Sequence, residues 1–322
     1  MSIRKPLSSI SLDLDNEWSY LKIHGNSDWE KYPSYLDAFL PLVLDELDRL
    51  NLKITFFIVG KDAEISTNEK YIRMIVERGH EVGNHSYSHE SWLNHFEKEK
   101  VEFEIGRAEE LINNITGQKT IGFRAPGFSW SETVLNVLNE NNYLYDASTL
   151  PTFIGPLART YYFWTSNLSK EERKVRKNLF GSFKEGFRSI KPYSWDFNSN
   201  RDLLEIPVST IPILKIPFHL SYLLYLSRFS NLAMHTYLNT ALTLCKLTNT
   251  QPSFLLHPLD LVGGDQTPRL AFFPGMDLNT ESKLKVFREV IKKLSNNFSL
   301  VNMSTHAKSI SNVRKVKSGI LN

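Results

Sequence analysis

The chain has 322 residues, of which 41% are hydrophobic and 23% charged, an ordinary composition for a globular protein with a substantial apolar core. Its net charge of +3 gives a nucleic-acid partner no support. A single cysteine, Cys245, excludes an intrachain disulfide; it lies in an apolar helical pattern and reads as a small buried residue.

Taken in chain order, Ile10, Leu12 and Leu14 alternate with polar residues and predict a strand ending at Asp13 and Asp15. Ser34 is a cap for a helix in which Leu36, Phe39, Leu40, Val43, Leu44, Leu47 and Leu50 keep helical spacing. The run KITFFIVG predicts a buried strand closed by Gly60, TNEKYIRMIVERG a helix stopped by Gly79, and HEVGNH a short strand. A helix follows over EKVEFEIGRAEELINNITG, then a strand over TIGFRAP, a helix capped by Ser131, and a strand at YLYDAS. Between about 150 and 202 the pattern breaks into an aromatic, charged stretch that reads as an insertion shaping a rim or cleft. Strands at LLEIPVST and PSFLLH, a helix over LNTESKLKVFREVIKKLSNN and a strand at FSLVNM complete the series. The basic end, HAKSISNVRKVKSG, reads as a solvated or frayed tail.

Strands alternating with helices predict an α/β fold around a parallel sheet. Seven or eight strands favour a barrel over an open sheet, and a barrel of about 250 residues with an insertion fits the length. The most apolar stretch, IPILKIPFHLSYLLYLSRFS, is broken by Pro212, Lys215, Pro217, His219 and Arg228, so it falls short of a membrane span. An amphipathic segment that touches a bilayer or covers a greasy substrate remains compatible with it. The first residues lack the apolar run of a secretory signal, which predicts a cytoplasmic protein, at most peripheral to the inner membrane.

In a parallel barrel, catalytic groups collect at the C-terminal ends of the strands. Asp13, Asp15, His85, Arg124, Asp146 and His257 all fall at predicted strand ends. Two imidazoles, His85 and His89, with the carboxylate of Asp15, suit Zn²⁺ or a similar divalent ion and leave an open position for water. Asp13, two residues before Asp15, is the candidate proton acceptor. Arg124 is expected to grip the Asp13 carboxylate in a bidentate contact, and a backbone N–H near Gly127 to meet a developing oxyanion. His257 is the candidate general acid, with Asp146 holding its imidazole. Base, acid and metal so arranged suit hydrolysis of an amide or ester. Taken singly, each feature also has a plainer reading: exposed histidines, a strand-end cap, a rim salt bridge.

SLDLDNEW, NHSYSH, RAPGFS, YDAS and FLLHP, in that order, resemble the motifs of the polysaccharide deacetylases of the NodB-homology group, carbohydrate esterase family 4. The likeness runs from Asp13 to about Asp260, and EIPVSTIP with HPLD looks like the branch associated with exopolysaccharide and O-antigen assembly. It implies a distorted (β/α)7-type barrel and metal-dependent removal of acetyl groups from an N-acetylated glycan, polymeric or lipid-linked. By motif position, Asp13 is implied as base, Asp15, His85 and His89 as ligands of Zn²⁺ (or Co²⁺ or Mn²⁺), Arg124 as the residue orienting Asp13, and His257 as acid. The competing readings are an O-acetyl esterase or other amide hydrolase on this scaffold, and a non-catalytic carbohydrate-binding barrel.

Overall fold

The computed structural model describes residues 5–157, 160, 182–197, 202–311 and 313–317. Much of the predicted insertion at about 150–202 therefore lies outside the described residues. β1 (Leu7–Leu14) is buried along nearly its whole length, as a central parallel strand covered on both faces must be. Next to it, in chain order and all parallel, come β2 (Thr55–Ile58), β3 (Glu81–Asn84), β4 (Gly122–Phe123) and β5 (Tyr145–Asp146). β6 (Tyr193–Asp196) runs antiparallel to β7 (Leu203–Glu205), which extends the sheet from β5. β8 (Ser253–Leu256) pairs with β1 on the sheet's other side, and β9 (Ser299–Val301) joins the start of β1. β10 (Lys315–Lys317) pairs with β6, so the path among described residues is β10-β6-β7-β5-β4-β3-β2-β1-β8.

Helices connect these strands: α1 (Glu17–His24), α2 (Leu36–Arg49), α3 (Gly60–Glu64), α4 (Glu69–Glu77), α5 (Lys98–Thr116), α6 (Glu132–Glu140), α7 (Leu220–Ser227), α8 (Asn231–Leu247), α9 (Thr280–Asn297) and α10 (Met303–Ser309). The largest core sits where β1, β2 and β8 meet α2, α8 and α9, and it includes Leu12, Phe39, Leu44, Phe254, Cys245 and Phe287. The helical spacing expected from Leu36 to Leu50 is borne out: Leu36, Phe39, Leu40, Val43, Leu44 and Leu47 are buried, and Leu50 at the helix end is half-buried. A second core joins Phe123, Val134, Leu138 and Trp195. Among the described residues no helix is long and apolar enough to cross a membrane.

Three elements depart from expectation. α1 follows β1 directly; its buried residues Glu17 to Leu21 are consecutive, so no 3.6-residue apolar stripe marks it in the sequence. β6 forms inside the stretch read as an insertion, because Tyr193 and Trp195 on it are buried in the second core. The basic tail is not simply solvated: Lys315 and Lys317 face water while Val316 packs on that core, and Lys315 pairs with Asp202 at 2.6 Å.

Candidate active site

The two histidines ride on one tight turn after β3. Asn84 accepts from the Ser86 N–H at 2.9 Å and donates to the Ile105 carbonyl at 2.9 Å and Tyr143 Oη at 2.8 Å. From one side, the start of α3 donates its Gly60 and Lys61 N–H groups to the Ser86 and Tyr87 carbonyls, each at 2.9 Å. From the other, Glu104 on α5 accepts from the Tyr87 and Ser88 N–H groups at 3.0 and 2.8 Å. A Cβ at Gly60 would lie 2.8 Å from the Ala108 backbone, so only glycine lets α3 approach this closely. Within the turn Ser86 (φ 62°) and His89 (φ 53°) adopt left-handed backbone, the sort of strain that persists where surrounding bonds over-determine it.

His85 Nδ1 lies 2.7 Å from the Arg124 carbonyl, which can only accept, so Nδ1 carries the proton and Nε2 presents its lone pair. That Nε2 is 3.4 Å from Asp15 Oδ1, and His89 Nε2 is 2.9 Å from the same oxygen. One donor atom from each of the three residues falls within 4.8 Å of the others, and all three residues are buried. Despite these neighbours Asp15 Oδ1 makes no hydrogen bond. A buried carboxylate oxygen facing two imidazole nitrogens without hydrogen-bonding geometry is the arrangement a divalent cation between them would satisfy. Burial works against ionisation of Asp15, but the flanking His89 and His85 outweigh it and hold the carboxyl well below the usual range.

The loop that presents Asp15 is braced from below. Tyr35 Oη donates to the Asp15 carbonyl, and Asn16 Nδ2 and Trp18 Nε1 both donate to Asp62 Oδ1, at 2.7 and 2.8 Å. Burial pushes the Asp62 carboxyl from an ordinary 3.8 up to about 7, against the pull of those two donors. The protonated form is therefore the one the fold prefers. Its contribution to stability is complete below the unfolded value and is lost as pH rises from about 4 to about 7. Asp62→Asn mimics the protonated group, so between pH 4 and 7 its unfolding free energy in urea titration should fall less than that of the wild type, by a few kcal/mol at most. Parallel curves for the two proteins would contradict this.

Asp13 lies at the end of β1 and is gripped by Arg124, which has no exposed surface. Arg124 Nη1 donates to Asp13 Oδ1 at 2.7 Å and to Ser11 Oγ at 2.8 Å, while Nε donates to the Ala147 carbonyl at 3.0 Å. The expected bidentate contact is thus a single one, because Nε is committed to the backbone beyond β5. The other oxygen, Asp13 Oδ2, faces His257 Nε2 at 4.0 Å.

Asp146 does not hold His257. It accepts from the Ala147 N–H at 2.9 Å and from Ser148 Oγ, and Ser148 Oγ accepts in turn from the Ala125 N–H at 2.8 Å. It therefore ties the end of β5 to the segment after Arg124. The carboxylate beside His257 is Asp260, with Oδ2 at 2.9 Å from the His257 N–H and 3.7 Å from Nδ1. Asp260 stands three residues beyond His257, at N3 of the short helical turn that His257 caps, and that spacing in HPLD was its sequence signal. Burial lowers the His257 pKa, but Asp260, and behind it Asp13 and Asp15, raise it to about 9 overall. Sequence reasoning also passed over His219, whose ring meets His257 edge-on at 5.9 Å.

Asp13, Asp15, His85, His89, Gly127 and His257 all line one cavity of about 420 Å³, and Arg124 backs it through Asp13. Gly127 sits on its wall in left-handed backbone, φ 61°.

A parallel α/β sheet with a buried Asp–His–His group at its strand ends defines a scaffold built around a candidate divalent-cation centre. Residues 29–145 match the family model described as polysaccharide deacetylase, and over that segment the chain is similar to those proteins. It is 33% identical over 106 residues to a peptidoglycan-N-acetylglucosamine deacetylase of Bacillus cereus, covering 33% of this chain and 38% of that protein. It is 32% identical over 111 residues to a peptidoglycan deacetylase of Helicobacter pylori, covering 34% and 37%. The chain thus spans less than two fifths of the length of either relative. The fold extends further. A putative polysaccharide deacetylase from Mycobacterium smegmatis superposes with a TM-score of 0.58 over 98% of this chain and 95% of that one, at 17% identity. A probable polysaccharide deacetylase from Pseudomonas aeruginosa PAO1 does so with a TM-score of 0.57 over 95% and 90%, at 16% identity.

Proposed function

We propose that the chain is a metal-dependent hydrolase that removes the acetyl group from an N-acetylated sugar and releases acetate. The observation that carries this reading is the convergence of Asp15 Oδ1, His85 Nε2 and His89 Nε2 beside the Asp13–Arg124 pair, with His257 4.0 Å across from Asp13. Asp15, His85 and His89 would hold a divalent ion such as Zn²⁺, Co²⁺ or Mn²⁺. When bound, the ion supplies Lewis-acid activation of water and of the acetamide carbonyl. Asp13 Oδ2, on the cavity side, accepts the proton of the attacking water, while Arg124 fixes the carboxylate through Oδ1. The Gly127 N–H on the cavity wall stabilises the oxyanion. His257 delivers a proton to the departing amine, and Asp260 sets its charge and orientation. The polysaccharide deacetylase relatives support an N-acetylated glycan as substrate.

The test is acetate release from paired N-acetyl and O-acetyl glycans, before and after chelation. Release from the N-acetyl substrate should vanish with chelator and return with added Zn²⁺, Co²⁺ or Mn²⁺. A rate indifferent to chelation would sink the scheme, and activity confined to O-acetyl groups would turn it into an esterase.

The charge on His257 also fixes a pH dependence. The working form is the protonated imidazole, so kcat/KM should fall on an alkaline limb near pH 9. Asp260→Asn removes the main charge that raises this group and should shift the limb toward lower pH without loss of bound cation. A limb unmoved in that variant would assign it to another residue.

A further inference from the structure

The cavity that ends at the Asp–His–His group has two unlike halves. Its floor carries the titratable side chains, but outward from them the wall is built largely of Ile23, Leu150, Ile154, Tyr222, Leu224 and Phe273. Around the mouth, large apolar side chains stand in water. Tyr225 and Phe272 line the opening and are exposed, and Phe272 stacks on His24 of the same wall at 3.9 Å. Phe229, 72% exposed, meets Tyr225 at 5.2 Å, and Leu232 follows at 77%. Phe153, between the wall residues Thr152 and Ile154, contacts Phe183 at 4.8 Å and Phe187 at 5.2 Å, and both of these are more than half exposed.

Single exposed apolar residues are unremarkable, but a patch of them continuous with a cavity wall is a binding surface. A protein partner or a second copy seated on this patch would cover the way to the centre and bar substrate from it. A lipid surface would cover the same patch and deliver substrate past it. Aromatic side chains are also the ones that rest well at a lipid–water boundary. The aliphatic part of the wall, Ile23, Leu150, Ile154 and Leu224, suits a hydrocarbon chain.

We infer that the substrate is an amphiphile, an N-acetylated sugar carried on a hydrocarbon anchor, which the exposed patch of Tyr225, Phe229, Leu232, Phe272, Phe183 and Phe187 takes from a lipid surface while the apolar wall holds the first part of the anchor. This rests on the deacetylase reading above and names the class of substrate for that site.

The test compares three N-acylated hexosamine glycosides: methyl aglycone with N-acetyl, dodecyl aglycone with N-acetyl, and methyl aglycone with N-dodecanoyl. The dodecyl glycoside, presented in phosphatidylcholine vesicles, should be deacetylated with a kcat/KM at least about tenfold above the methyl glycoside, a gain that burial of a few methylenes accounts for. The protein alone should cosediment with those vesicles. The paired changes Phe229→Ser with Leu232→Ser, and Phe183→Ser with Phe187→Ser, should lower both the cosedimentation and the dodecyl-to-methyl ratio, with bound cation and thermal midpoint as controls for folding. Deacetylation of the methyl glycoside with no gain from the dodecyl chain overturns the inference and leaves the deacetylase reading standing. A gain from the N-dodecanoyl chain instead overturns it by assigning the wall to the acyl side. Inactivity on all three fails the deacetylase reading, and vesicle binding then tests the patch on its own.

Discussion

Asp15→Ala should abolish tight cation binding and acetate release together. The three donor atoms come from two strand ends, and Asp15 contributes the only carboxylate among them. Its loss leaves two imidazoles 5.2 Å apart, ring centre to ring centre, with no carboxylate among the three to offset a divalent ion. Changes to residues that merely orient ligands cost about 10- to 100-fold in metal affinity, so loss of a ligand from a three-residue set should exceed that range. His85→Ala and His89→Ala should behave alike. The informative contrast is a residue one layer out: Glu104→Gln weakens two N–H contacts that hold the His85–His89 turn and should lower affinity without abolishing it. Metal content after dialysis, measured beside acetate release, separates the cases. A stoichiometric cation in the Asp15→Ala protein would show that the ion, if there is one, sits elsewhere.

The parts of this architecture that were legible in the sequence are those with a short physical code. α2 announces itself by the stripe of positions that it buries, β2 by the continuous apolar run of a strand covered on both faces, and β1 by the alternation of its apolar residues with the small buried Ser9 and Ser11. The strand-end rule then located Asp13, Asp15, His85, Arg124 and His257 without knowledge of any contact. The illegible parts are set by distant partners. Asp146 and Asp260 are both aspartates near strand ends, and which one serves His257 depends on Ser148 and Glu205 engaging the first. α1 has no stripe, since both its faces are covered over Glu17 to Leu21. β6 is a strand because it finds β7, β10 and the second core, and β10 because it finds β6. Arg124's single contact with Asp13 reflects the Ala147 carbonyl, from a strand the sequence could not place beside it.

Asp13→Asn should lower kcat by about 10²- to 10⁴-fold while the bound cation is retained, because it removes a proton acceptor and leaves Asp15, His85 and His89 untouched. The same change exposes what the Asp13–Arg124 pair does for the fold. Arg124 is sealed beneath Phe57, its guanidinium carbon 4.5 Å from the ring centre, and among the described residues Asp13 is the one carboxylate that pairs with it. Removing one partner of a buried pair leaves the other charge uncompensated and typically costs about 3–5 kcal/mol. Asp13→Asn keeps an acceptor oxygen for Nη1, so its loss of stability should fall at or below the lower end of that range. Arg124→Met removes the donor from the buried Asp13 Oδ1 and should reach the full range. The double variant removes both charges, so its destabilisation should be smaller than the sum of the two singles. Urea unfolding of the four proteins measures the coupling, and acetate release measures the chemistry. Strict additivity in stability would mean that the 2.7 Å contact contributes nothing to the fold, and Arg124 would then stand by Asp13 only to orient it.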